Sequence, residues 1–385
     1  MKNILILGLV SFFTDMSSEM VYPLIPVFLM GTFGANPLII GVIEGISHSF
    51  SSLFKIYFGH ISDKIGKRKW FAAAGYTISA LGKLIIGLSG NWSSILGGRT
   101  VDRLGKAARG APRDALIAES TPAGRRGEAF GIHRALDTAG AFVGILIGYL
   151  ILINFTGPIR SIFFYSLIPA AISVLIMLIF VREPMAPAPK TKDRTKLSWS
   201  VLPKNLKIFL LISLLFSLGN SSNLFLIIKA IDIGFFPVVI MLLYATYNLS
   251  YALFMYPASK LSDKIGRKTM LVSGYLIFGL VYLAFAFVNQ PAWYWAMFFI
   301  YGAYVGLTEG VEKAYVVDNS PEQIRATVLG THDTIVGVMM MPASILAGSL
   351  WQFFGPATPF YFSSLIGFLA TILILLYIPA GKPTK

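Results

Sequence analysis

The sequence predicts an all-α membrane protein, with twelve transmembrane helices in two pseudo-symmetric six-helix bundles. Three observations carry that prediction. Of 385 residues, 55% are hydrophobic and only 13% charged, and the mean hydropathy is +0.70, more apolar surface than one water-soluble core can hide. The apolar residues fall in runs of the length a helix needs, about 20 residues, to cross ~30 Å of hydrocarbon. A set of polar signatures in the first half also returns in the second, close to 200 residues later.

Taken in order, the runs place helices near 5–30, 37–58, 69–89, 93–118, 127–153 and 158–181. A second set falls near 207–229, 234–257, 269–289, 292–317, 326–352 and 356–379. Residues 1–181 and 207–385 are then the two bundles, and the stretch 182–206, rich in Pro, Lys and Arg, is a cytoplasmic linker. The first run contains Asp15 and Glu19 and lacks a small-residue cleavage site, so it reads as a retained helix.

The formal net charge is +14. With an internal N-terminus, the basic residues gather in the inner connections, and the outer ones hold only Arg160 and Lys229. That asymmetry is a topology signal, which places both termini in the cytoplasm of a multi-pass inner-membrane protein. It argues for a lipid bilayer, and against nucleic acid, as the partner of the charge. With no cysteine, disulfides and thiolate metal sites are excluded.

The halves repeat. Ser62-Asp63-Lys64-Ile65-Gly66 returns as Ser262-Asp263-Lys264-Ile265-Gly266, and Pro122, Arg126, Gly131 and His133 return as Pro321, Arg325, Gly330 and His332. Arg113-Asp114-Ala115 corresponds to Glu312-Lys313-Ala314, with the charge order inverted.

The loop after the second span reads Gly59-x-x-x-Asp63-Lys64-x-Gly66-Lys67-Arg68, and its twin keeps Asp263, Lys264, Gly266, Arg267 and Lys268, with Ser259 for the first glycine. This doubled signature resembles the major facilitator superfamily over essentially the whole chain. The resemblance implies a secondary transporter, usually monomeric, without a cofactor, that binds a small-molecule substrate at the midplane between its halves. It also implies that these loops, with Arg113 and Asp114, gate the two halves; the plainer reading is a positive-inside anchor. In the fifth span Gly131, Gly140, Gly144 and Gly148 resemble a glycine motif of proton-coupled antiporters, although Ile145 and Tyr149 depart from it. The same spacing also serves close helix packing.

Ionisable residues inside a span are costly and mark function by default. Arg99, Arg103, Lys106, Arg109 and Arg113 share one face of the fourth span, a stripe about 21 Å long. Arg99, Arg103 and Lys106 are expected to meet substrate, while Arg109, Arg113 and Asp114 are expected to pair with carboxylates such as Asp63, Glu119 or Asp137. Asp15, Ser18, Glu19 and Tyr22 form a polar face on the first span. Asp15 or Glu19 is the expected proton carrier; a permanent salt bridge to the fourth span is the competing reading. Glu44 shares a face with His48 and Lys55, and His133 with Asp137, four residues on, suggests one hydrogen-bonded pair. In the second half Asn220, Asn223, Tyr244, Tyr247, Tyr251 and Glu309 are expected to line the cavity. Met339, Met340 and Met341 point in three directions around a helix and make no metal site.

These readings combine into a proton-coupled exporter of a small organic anion or amphiphile. The alternatives are a metal-ion or metal-chelate exporter using Asp15, Glu19, Glu44 and His48, or a receptor that binds without transporting. No hydrolase signature, phosphate loop or nucleophile elbow suggests an enzyme.

Overall fold

The computed structural model describes residues 2–122, 125–154, 157–183, 199 and 202–379, with the side chains of Asp63, Arg126, Gly127, Gln323 and Ala326 outside the description. Most of the stretch 182–206 therefore lies outside the described residues. Among those described, all regular structure is helical.

The chain divides into two compact units, one of residues 1–35 and 46–192 and the other of 36–45 and 193–385. In the first unit the first span is α1 (Lys2–Glu19), a 3-10 turn at Tyr22–Leu24 and α2 (Ile25–Phe33). There follow α3 (Pro37–Ile65), whose first turns group with the second unit, α4 (Arg68–Gly87), α5 (Trp92–Glu119) and α6 (Arg126–Asn154). The sixth span is α7 (Arg160–Tyr165) with α8 (Leu167–Phe180). In the second unit α9 (Lys204–Gly219) and α10 (Leu224–Asp232) make the seventh span. The remaining five are α11 (Pro237–Ile265), α12 (Arg267–Phe287), α13 (Pro291–Asp318), α14 (Arg325–Phe354) and α15 (Thr358–Tyr377).

Ten of these twelve segments are long and apolar enough to cross a membrane. The other two, α5 and α13, carry the α5 cation stripe and Glu309, Glu312 and Lys313. Three spans expected as single helices are broken instead. Pro23 and Pro26 interrupt the first, since a proline removes a ladder donor and suits only a new first turn. Asn220-Ser221-Ser222-Asn223 interrupts the seventh, where such side chains compete with helix hydrogen bonds. The sixth breaks at Ser166, whose Oγ bonds back to Phe163 O.

Packing follows membrane rather than aqueous logic. Large apolar side chains such as Leu5, Leu150, Ile179, Leu365 and Leu376 are exposed, while Glu44, Lys83, Arg99, Arg109, His133 and His332 are buried. Lipid is as apolar as leucine, so the helices are held by close contact and buried polar bonds. In the first unit, Ile4, Leu7 and Val10 of α1 cluster with Ala72 and Tyr76 of α4, Leu116 of α5 and Met177 of α8. The second unit is filled by rings: Phe216 stacks on Tyr275 at 3.8 Å, and Phe278, Tyr282, Phe285 and Phe360 continue the cluster.

Candidate functional site

Close helix contact builds the first-unit site. On α4, Gly75 and Gly82 abut α5 at Gly105 and Gly98, where an added Cβ would lie 2.8 and 2.7 Å from backbone carbonyl oxygens. This register sets Ser79 and Lys83 of α4 against the α5 stripe. Ser79 Oγ donates to Asp102 O at 2.9 Å, and Arg109 Nη1 donates to Ser79 Oγ at 2.6 Å. On the other side, Gly140 and Gly144 of α6 pack directly on the carbonyls of Phe12 and Met16 of α1. The spacing that resembled an antiporter motif is thus a packing surface here.

A polar cavity opens within this unit. Asp15, Ser18, Glu19 and Tyr22 line it from the first span, Lys83 from α4, and Arg99, Asp102, Arg103, Lys106 and Arg109 from α5. Arg99 lies 3.6 Å from Asp102, and its guanidinium and that of Arg103 stand over the Tyr22 ring at 5.4 and 5.9 Å. Arg103 Nε is buried without a hydrogen-bond partner, a donor left open in a low-dielectric site.

The carboxyls of Asp15 and Asp137 meet within hydrogen-bonding reach, and Lys106 lies within electrostatic reach of both. Two carboxyls so placed can hold one proton between them, because two negative charges at that distance repel. His133, expected to bond Asp137, instead pairs through Nε2 with Ser11 Oγ at 2.7 Å. Asp137 is 3.4 Å from Arg134 Nη1. In the inner stripe Arg113 lies within electrostatic reach of Asp137. Arg113 holds Asp114 at 2.8 Å, and Arg109, with Ser79, covers the Tyr76 ring at 4.8 Å.

Glu44 falls among the residues that group with the second unit. It is fully buried, and its Oε2 accepts from Ser222 Oγ at 3.4 Å. A second cavity lies within that unit, lined by Asn220, Asn223, Tyr247, Tyr301, Tyr304, Glu309 and Glu312 among others. Tyr301 donates to Asn223 Oδ1 at 2.6 Å, and Asn223 Nδ2 to Tyr247 at 3.3 Å. Tyr251 and Lys313 both donate to Glu309, at 2.8 and 3.0 Å. Tyr251 thus acts through Glu309, and Tyr244 packs behind Tyr247 at 5.4 Å.

At the repeated loops, Gly66 (φ 71°) and Gly266 (φ 92°) take the left-handed turn that only glycine adopts without strain. Gly59 faces Ala111 of α5; Lys67 is exposed. Arg68 pairs with Glu119 at 2.9 Å. Arg267 pairs with Asp263 at 2.6 Å and with Asp318 at 3.1 Å. The Asp63 side chain lies outside the described residues.

Tyr301 and Tyr304 of the second cavity escaped the sequence reading, and so did Lys83 and Glu183. Lys83 is buried and donates to Ser17 Oγ at 2.7 Å, which itself donates to Ser166 O at 2.6 Å. Its signal was plain, a lone ammonium deep in an apolar run. Glu183 accepts from the backbone N–H groups of Arg68 and Lys69, at 2.7 and 3.0 Å, and so caps α4. Nothing in its sequence surroundings points there.

The family model described as Major Facilitator Superfamily matches residues 7–235 and 209–385. An uncharacterized MFS-type transporter of Methanocaldococcus jannaschii is 39% identical over 380 residues, 97% of this chain and 94% of that protein. The multidrug resistance protein MdtG of Dickeya zeae is 26% identical over 380 residues, 92% of this chain and 89% of that one. Among solved structures, the nucleoside transporter NupG superposes with a TM-score of 0.79 at 16% identity, covering 98% of each chain. With both halves matched by the family model and the fold shared end to end, the chain is a transporter and belongs to the major facilitator superfamily.

Proposed function

We propose that the protein is a proton-coupled exporter, an antiporter, of a small anionic or amphiphilic organic compound, working by alternating access. The observation that carries this reading is the Asp15–Asp137 contact beside Arg103, whose Nε lacks a partner. An anion entering the first-unit cavity completes the open donor of Arg103 in a charge-assisted bond. Lys106 acts on both acids, so an anion that draws on Lys106 competes with them for it. Substrate and proton are coupled through that shared cation. Arg99 and Tyr22 position Arg103, and Glu19 adds a second carboxylate to the cavity wall.

The Dickeya zeae relative is named a multidrug resistance protein, which supports reading this chain as an exporter of drug-like compounds. The neutral donors and rings of Asn220, Asn223 and Tyr247 suit the uncharged part of such a molecule. Charge asymmetry supports a place in the cell inner membrane with both termini in the cytoplasm, and membership of a family whose members are usually monomeric supports a monomer. The bundles are residues 1–181 and 207–385, and the loops around Gly66 and Gly266, with Arg113 and Asp114, act as gates.

The test uses proteoliposomes loaded with a fluorescent anionic amphiphile under an imposed pH gradient. Gradient-driven movement that is lost in both Asp15→Asn and Arg103→Gln is the expected result. Movement indifferent to the gradient, or carried equally by a cationic dye, overturns the reading.

A further inference from the structure

The fifth helix of each repeat carries a buried histidine, His133 in α6 and His332 in α14, and their surroundings are opposite. His133 is satisfied by the Ser11 hydroxyl at 2.7 Å. His332, 2% exposed, lies nearly parallel to Phe209, with centroids 6.0 Å apart, and neither of its ring nitrogens has a hydrogen-bond partner. Two carboxylates flank the ring instead. Nε2 stands 4.0 Å from Glu312 Oε2, and Nδ1 stands 3.8 Å from Asp333 Oδ1. Glu312 occupies the position that Arg113 holds in the first repeat, so the partner charge is reversed where the hydroxyl is lost.

A neutral imidazole has one N–H to offer, so it can serve only one of the two carboxylates and turns the lone pair of its other nitrogen toward an acceptor. An imidazolium turns an N–H toward each carboxylate, and a protonated Glu312 donates toward Nε2 while the Nδ1 N–H faces Asp333. We propose that Glu312 and His332 form a proton-binding site of the second unit, holding one exchangeable proton between them.

The other titratable groups nearby are accounted for. On α13, Glu309 and Lys313 pair with each other, and Tyr251 of α11 bonds Glu309. Tyr275 of α12 and Tyr304 of α13 are buried within electrostatic reach of Glu312, and Tyr315 of α13 is buried against Phe209, with centroids 4.6 Å apart. The lysines of α9, Lys204 and Lys207, lie in its first turn, and α15 brings only Tyr361 and Tyr377. At the start of α14, Glu322 and Arg325 face each other at 3.8 Å. Glu312 also borders the second-unit cavity, which gives the proton a route to whatever fills it. The site rests on second-unit geometry alone and stands whether or not Asp15 carries a coupled proton.

The test measures proton uptake by the full chain in lipid nanodiscs after an acid jump from about pH 8 to 5, where histidine titrates. Glu312→Gln and His332→Asn are each expected to take up about one proton fewer than wild type, and the double variant also about one fewer, as for a coupled pair. An Asp15→Asn background leaves that difference unchanged. Unaltered uptake in both single variants, or losses that add in the double, overturns the proposal. If a variant does not fold, 15N-histidine spectra of the wild-type chain decide the matter. The ring in contact with Phe209 must change protonation state over that range, and a single fixed neutral tautomer overturns the site.

Discussion

Arg68 and Glu119 pair at 2.9 Å, and the same pair recurs in the second unit as Arg267 and Asp318 at 3.1 Å. Each partner is displaced by the same 199 residues (68 to 267, 119 to 318). The lysines that follow behave alike: Lys69 Nζ donates to Leu178 O at 2.7 Å, and Lys268 Nζ to Leu375 O at 2.9 Å. The repeat therefore conserves a junction of three helices in each unit, beyond the loop motif itself.

The two pairs differ in burial, and so in expected cost. The side chains of Arg68 and Glu119 are 10% and 20% exposed, against 22% and 49% for Arg267 and Asp318. Removing one member of a buried pair costs ~3–5 kcal/mol, whereas exposed pairs contribute ~0–1 kcal/mol. Glu119→Ala is expected to lower the melting temperature in detergent clearly more than Asp318→Ala does. Equal shifts by scanning fluorimetry would contradict this ordering.

Arg103 and Arg109 share a stripe but differ in their bonds. Arg103→Gln removes a donor that lacks a protein partner, so anion affinity is expected to fall about 10- to 100-fold with little loss of stability. Arg109→Gln breaks its bond to Ser79 and is expected to lower stability first. Calorimetric titration with an anionic amphiphile, run beside thermal melts, separates the two effects.

Asp15 and Asp137 act as one group if they share a proton. Asp15→Asn and Asp137→Asn are each expected to flatten the pH dependence of transport, and the double variant to add little. Additive losses in a double-mutant cycle would mean that the carboxyls work separately.

Gly97 and Gly98 are neighbours on α5 with opposite expectations. An added Cβ at Gly97 meets nothing within 4 Å, while at Gly98 it lies 2.6 Å from Ile86 Cγ1 and 2.8 Å from Gly82 O. Gly97→Ala is expected to be neutral or to stabilise by ~0.4–1 kcal/mol, and Gly98→Ala to destabilise by ~1–3 kcal/mol. The melting temperature of Gly98→Ala should fall, while that of Gly97→Ala holds or rises.

Much of the fold was legible in the sequence because a bilayer dictates run length and the repeat supplies a second copy of each signal. The α5 stripe was legible for a similar reason, since steps of three and four define one helical face. Partners across long separations were not. His133 bonds Ser11, 122 residues away, rather than Asp137 four residues on, because only the packing of α6 on α1 decides which side chain is nearer. Gly75 and Gly82 share a seven-residue spacing with Gly98 and Gly105, but the match gains meaning only once α4 is seen to lie on α5. The broken first and seventh spans were hidden by apolar content that reads as continuous.

The interruption between α9 and α10 sits at Asn220 and Asn223, in the wall of the second-unit cavity. A helix that stops there leaves its last carbonyls without intrahelical donors, so a bound molecule meets main chain as well as side chain. No point substitution deletes a carbonyl. Alanine scanning of this wall will therefore understate what it contributes, and a compound that leans on the backbone will be harder to escape by single-residue resistance. Replacing an amide by an ester in that stretch would expose the hidden share.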